Sequence, residues 1–289
     1  YPVFYDFHFR QYALYVIQKK RHPPDRKREF FFEDDDTPIE IFLLISVVHQ
    51  VTMANNYFRF RQFIIHQEGA AFKVTTDSVL LGSWADIGTA GTILDIGTGT
   101  GLLALMTAQR SGAVITAIEP DEKSFRQAGE NISLSEWKER ITLINTRLQE
   151  FTSSCNGRFD AIISNPPYFT ASLLNPDRRK ALARHNMALP MEDLVKCSEK
   201  LLAENGMLHV VIPASDSEGF TGTASDNGLY CCKMLRILPL PDREPKRVLL
   251  SLGREKLTTV VSSLVIETGA RHRYSDEYLA LTGDFYLER

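Results

Sequence analysis

Between Thr92 and Ile212 the chain alternates short apolar runs with amphipathic stretches of helical length, and this alternation limits the possible folds more than any other feature. The runs Thr92–Ile96, 113–119, 141–145, Phe159–Ser164 and 206–212 read as strands. Leu102–Arg110, 122–134 and 191–202 read as the helices between them. Such alternation implies an α/β fold: a parallel, doubly wound sheet with its ligand at the carboxyl ends of the strands. Segments 232–238, 247–253 and 259–267 follow with no helix between them and read as antiparallel strands completing the sheet. Upstream, 58–67 reads as a short hairpin or edge strand, with Phe58 and Phe60 facing one way and Arg59 and Arg61 the other. Thr76 or Asp77 is placed to cap a helix over 78–85.

The first strand runs into Asp95-Ile96-Gly97-Thr98-Gly99-Thr100-Gly101 and then into a helix. Glycines let backbone approach a ligand closely, and a helix N-terminus favours an anion. The dinucleotide fingerprint G-x-G-x-x-G needs a glycine where Leu102 stands, so the spacing argues against NAD. The next strand ends at Glu119, where an acid can accept from both ribose hydroxyls of a nucleoside. A nucleoside with a carboxylate tail and no pyrophosphate points to S-adenosylmethionine. The candidate cofactor residues are Asp95, Gly97, Gly99, Gly101 and Glu119.

A fourth strand stops at Asn165-Pro166-Pro167-Tyr168, because two prolines cannot continue a ladder. The Asn165 side-chain oxygen and the Pro166 carbonyl can both accept from a planar NH2 group, and the Tyr168 ring can stack on its plane. Asp95, the glycines, Glu119 and Asn165 all fall at carboxyl ends of strands, so the alternation places them together.

The glycine motif and Asn-Pro-Pro-Tyr together resemble the class I S-adenosylmethionine-dependent methyltransferases of the amino-methylating branch. Residues 72–85 (Phe72 through Thr75, Asp77, Ser78 and Gly82 to Ala85), 102–106, Gln109-Arg110 and the tail 274–287 are similar to the bacterial tRNA(Val) adenine-N6 methyltransferase family. The resemblance covers Asn56 to Leu287. It implies a Rossmann-like, mostly parallel seven-stranded sheet with an antiparallel C-terminal hairpin. It also implies methyl transfer to an adenine next to the anticodon, with Asn165, Pro166, Pro167 and Tyr168 as the catalytic loop. In that family the segment holding Asp77 closes over the cofactor, so Asp77 is a cofactor candidate as well as a cap. The family places an acid after the third strand to accept from the cofactor's adenine; Arg147 stands there, and Arg cannot accept. The Leu148 backbone amide remains available to the adenine ring. Arg147 pointing to solvent is the other reading.

Net charge is −3, so an RNA partner must be held by local patches and released by salt. The best patch is Arg178, Arg179, Lys180, Arg184 and His185, just past the catalytic loop; a solvated helix face is the bland alternative. Arg243, Lys246, Arg247, Arg271 and Arg273 are weaker candidates. Cys155, Cys197, Cys231 and Cys232 lack metal spacing and fit a reduced, cytoplasmic setting. The apolar run from Ile41 to Val48 falls well short of the about 20 residues of a membrane helix. No metal and no obligate protein partner is indicated. Residues 1–52 differ from the rest: aromatic-rich, then basic, then acidic, with no persistent period. We expect Met53 to be the native start and 53–289 to form the catalytic domain. Competing readings are transfer to a protein glutamine amide, transfer to DNA adenine, and a non-enzymatic RNA-binding module.

Overall fold

A computed structural model of the chain describes residues 56–166, 189–269 and 272–287. The expectations for residues 1–52 lie outside these. So do Pro167, Tyr168, the patch Arg178, Arg179, Lys180, Arg184 and His185, and Arg271.

A two-stranded antiparallel hairpin opens the described chain: β1 (Tyr57–Arg59) and β2 (Ile64–His66). Helix α1 (Thr76–Trp84) leads into β3 (Thr92–Ile96), α2 (Leu102–Arg110), β4 (Val114–Ile118), α3 (Glu122–Ser133) and β5 (Ile141–Ile144). Then come α4 (Leu148–Ser154), β6 (Phe159–Ser164), α5 (Met191–Leu201), β7 (Leu202–Pro213), α6 (Ser217–Asp226), β8 (Tyr230–Leu238), β9 (Arg247–Gly253), β10 (Val260–Val265) and α7 (Asp276–Thr282).

The main sheet has the order β10-β8-β9-β7-β6-β3-β4-β5. Strand β3 is internal, with Ile93 opposite Ile115 of β4 and Ala161 of β6, both parallel. Strands β8 and β9 form the antiparallel hairpin, and β9 runs antiparallel to β7. Two expectations need correction. The sheet has eight strands rather than seven, and its last strand, β10, runs parallel to β8. The reason is positional. Gly253, the end of β9, lies opposite Tyr230, the start of β8, so the chain re-enters on the far side of β8 from the same end.

Side chains alternate between two cores, as the period of a strand requires. Ile93, Ile115, Ile163, Val211 and Leu249 face the layer of α1, α2, α3 and α7. Leu94, Ile118, Ile162, Val210 and Leu250 face the layer of α4, α5 and α6. Both faces are covered, which is why the strands read as nearly unbroken apolar runs. Helices α4, α6 and α7 were not anticipated. The first and last have only seven residues each, too short to show a helical period. In α6, Phe220 and Ala224 alone are buried.

The cap of α1 also differs from expectation. Thr75, not Thr76 or Asp77, is the N-cap: its backbone is extended (φ −124°, ψ 156°) and its side-chain oxygen accepts from the Ser78 amide. Asp77 sits in the first turn, where a negative charge also favours the helix. The tail packs back on the hairpin. Phe285 is buried, its carbonyl accepts from Arg61 N at 2.8 Å, and the Tyr286 carbonyl accepts from Arg61 Nε at 2.7 Å.

Candidate active site

Carboxyl ends of parallel strands converge by construction, and here they wall a cleft of about 930 Å³. The ends of β3, β4, β6 and β7, the start of the antiparallel β9, and the entry to α1 all line it. Of the residues chosen from sequence, Gly97, Gly99, Glu119, Asp77, Leu148, Asn165 and Pro166 line this cleft. Asp95, fully buried beneath it, and Gly101, backed by Ala128 of α3, do not.

The glycine loop explains its own composition. Gly97, Gly99 and Gly101 have φ of 70°, 59° and 83°, a left-handed region costly to residues with a Cβ. That conformation turns the loop back onto the next strand. Gly97 N and Thr98 N donate to the Ile118 carbonyl at 2.9 and 3.1 Å. Gly99 N donates to Glu119 Oε2 at 2.8 Å, and Asp121 N donates to Glu119 Oε1 at 3.0 Å. Glu119 is therefore a loop anchor as well as part of the cleft wall. Burial raises its carboxyl above the ordinary value, against the lowering effect of those two amides.

Asp95 lies under the loop and accepts from Thr98 Oγ1 at 2.5 Å; its Oδ1 has no hydrogen-bond partner among the described residues. Burial pushes this carboxyl up to about 7, opposed by the Thr98 bond and the nearby Ala104 amide and assisted by repulsion from Glu119. Asn131, buried on α3, donates to the Thr100 and His66 carbonyls, both at 2.8 Å, and so joins the loop to β2. The N-cap of α2 is Gly101, which offers no side chain to cap the first-turn amides.

Across the cleft, Ser164 Oγ donates to the Ile96 carbonyl at 2.9 Å and fixes the end of β6 beside β3. The next residue, Asn165, donates from Nδ2 to Ser78 Oγ at 2.7 Å. Asp77 does not stand alone: Arg247 Nε donates to its Oδ2 at 2.8 Å. Lys246 and Arg247, ranked low in the sequence, both line the cleft, whereas Arg243 is exposed on the preceding turn. Arg147 is exposed and lines the cleft as well, so its two anticipated placements meet at the rim. Leu148 is the first residue of α4 and is buried. Ser78 and the partnership of Arg247 with Asp77 went unanticipated. A serine three residues past a cap carries no distinguishing signal, and the Arg lies 170 residues from its partner.

A second cavity, of about 620 Å³, opens among Asp86, Asp160, His209 and Lys233. Its polar groups serve the fold. Asp160 accepts from Gly91 N and Thr92 N, both at 2.9 Å, and Lys233 pairs with Asp86 at 3.1 Å. His209 Nδ1 lies 2.8 Å from Ser251 Oγ, and burial pulls the imidazole down to about 4, so it is neutral. The four cysteines are free thiols. Among the described residues no helix is long and apolar enough to cross a membrane.

Residues 73–217 match the family described as "Methyltransferase small domain". A Bacteroides fragilis protein named tRNA1(Val) (adenine(37)-N6)-methyltransferase is 45% identical over 237 residues, covering 82% of this chain and 100% of that protein. One of the same name from Trichodesmium erythraeum is 41% identical over 239 residues, again 82% and 100%. Among solved structures, a predicted O-methyltransferase from Agrobacterium tumefaciens superposes with a TM-score of 0.56 at 19% identity, covering 74% of this chain and 99% of that one. That likeness shows the class I methyltransferase fold.

Proposed function

Because this chain belongs to the tRNA1(Val) (adenine(37)-N6)-methyltransferase family, we propose that its cleft moves the methyl of S-adenosylmethionine onto N6 of adenine 37, with Asn165 and Pro166 holding the amino group. The observation that carries this assignment is that Asn165-Pro166, the glycine loop and Glu119 share one cleft.

The residues present suit the cofactor. Gly97 and Gly99, both left-handed, leave backbone at the wall, Glu119 offers acceptors for ribose hydroxyls, and the uncapped start of α2 suits a carboxylate. The Leu148 amide is assigned to the adenine ring. Arg147 at the rim offers only donors there. Once bound, S-adenosylmethionine supplies a sulfonium-activated methyl, so the protein's task is alignment more than activation.

The exocyclic nitrogen of adenine is a weak nucleophile because its lone pair is delocalised into the ring. Asn165 Oδ1 and the Pro166 carbonyl accept hydrogen bonds from its two N–H groups, favour a tetrahedral nitrogen and aim the lone pair across the cleft; the one proton displaced by the methyl leaves to solvent. Acceptors fixed in advance stabilise the charge that develops on nitrogen. Tyr168 is assigned to stacking on the base, a contact worth about 1–3 kcal/mol. An anticodon-loop adenine is cheaper to flip out than a paired one. Arg178, Arg179, Lys180, Arg184 and His185 are assigned to phosphates flanking that base, with Lys246 at the cleft as a further contact. Binding should weaken steeply with salt.

Nucleoside analysis of unmodified total tRNA, after incubation with protein and S-adenosylmethionine, tests the assignment. N6-methyladenosine should accumulate with the parent, and Asn165→Ala should lower kcat by about 10²–10³. No methylated nucleoside despite intact cofactor binding would sink the tRNA assignment.

A further inference from the structure

We propose that Ser78 is a positioning residue that fixes which way the Asn165 amide faces, with the helix cap Thr75 setting its polarity. The proposal rests on the reading that Asn165 Oδ1 accepts from the target amino group.

An asparagine amide has a donor end and an acceptor end of nearly equal size. With the acceptor toward the cleft it can hold an NH2. Turned over, it meets those protons with its own and repels them. The backbone does not choose between the two, so a neighbour must. The neighbour is Ser78 Oγ, 2.7 Å from Asn165 Nδ2. A hydroxyl can donate or accept, so Ser78 alone is ambiguous. Thr75 offers Ser78 a second partner on its own helix turn. Its Oγ1 is the cap acceptor, taking the Ser78 amide at 3.3 Å, and the Ser78 hydroxyl lies 3.2 Å from the same atom. Geometry alone allows either hydroxyl of that pair to donate; the donor role is assigned to Ser78, the polarity that agrees with Asn165 Nδ2 donating to Ser78 Oγ. Ser78 Oγ is then left with lone pairs toward Asn165, which must present Nδ2. Oδ1 thereby faces the cleft.

The platform for this relay is stiff. Val79, Leu80 and Leu81, directly after Ser78, are buried in the core. On the other side, Ser164 holds the end of β6 through the Ile96 carbonyl. Two rigid elements 87 residues apart in sequence thus meet through one side-chain hydrogen bond whose direction is set by a helix cap.

The test compares Ser78→Ala, Ser78→Thr, Thr75→Val, Thr75→Ser and Asn165→Ala in steady-state methylation of unmodified tRNA, with cofactor Kd and thermal melting measured for each. Ala raises helix propensity at position 78, so that variant should fold. Ser78→Ala should lose about tenfold in kcat, the worth of one oriented hydrogen bond. Its cofactor Kd and KM for tRNA should stay within about twofold. Ser78→Thr, which keeps the hydroxyl, should restore kcat to within about threefold. Thr75→Val should lower kcat, and Thr75→Ser should not. A Ser78→Ala kcat within about twofold of the parent would overturn the proposal. So would a loss of cofactor affinity equal to the loss of activity, since Ser78 would then be cleft wall alone. Parental kcat in Asn165→Ala would instead remove the reading of Asn165 on which the proposal stands.

Discussion

The two sides of the cleft are built differently. On the glycine-loop side the protein has already satisfied most of the backbone: Ile118, Glu119 and Asn131 hold the loop, and Asp95 holds Thr98 beneath it. On the Asn165 side, the Asn165 amide is held by one half-buried serine, and the nearby ion pair of Asp77 with Arg247 is partly exposed. The glycine-loop side is thus rigid and costly to alter, because its polar groups are buried and would be orphaned. The Asn165 side is only partly buried, and its bonds are cheap to break in stability; it is the side at which the proposed function brings in the base. Damage on the first side should register in folding and cofactor affinity. Damage on the second should register in turnover.

The largest test of this contrast is the pH dependence of stability. An acid whose pKa is raised by folding holds its proton longer in the folded state. Asp95 therefore supports the fold most below its ordinary value of 3.8 and loses that contribution as pH rises to about 7. Glu119 shifts in the same direction. Denaturant unfolding of Asp95→Asn should lack about 3 kcal/mol of the parent's decline between pH 5 and pH 8. Parallel curves would mean Asp95 does not govern this side of the cleft.

Glu119→Ala comes next. It orphans the Gly99 and Asp121 amides and removes the proposed ribose acceptors, so calorimetry should find cofactor affinity about 100-fold weaker. Turnover at saturating cofactor should change little. Unchanged affinity would confine Glu119 to holding the loop. The smallest effect is expected from Arg247→Met. Breaking a partly exposed pair should shift melting by only about 1–2 °C. A larger shift would erase the contrast between the two sides.

The tail illustrates a second difference in legibility. Residues 274–287 carry a family resemblance that names the relatives, yet their helix could not be read from periodicity. Helix α7 is one short element capped by Ser275, with Tyr278 and Thr282 buried against neighbours far away in sequence. The glycine loop was legible because left-handed backbone demands a residue type. Asn-Pro-Pro was legible because proline forbids a ladder. The parallel course of β10 was not legible, since it depends on the end of β8 from which the chain re-enters. The true cap of α1 was hidden because Thr75, Thr76 and Asp77 are all competent caps.

By itself the sequence determined the doubly wound layering, the glycine turn after β3, the strand end that bears Asn165 and the family to which these belong. These follow from local rules: alternation of period, glycine at positive φ and proline at a strand end. Tertiary structure alone decided that Asp95 lies under the loop, that Glu119 anchors Gly99, and that Ser78 faces Asn165. Those facts depend on distances between side chains far apart in the chain, which the packing of α1 and the parallel strands sets and no local pattern encodes.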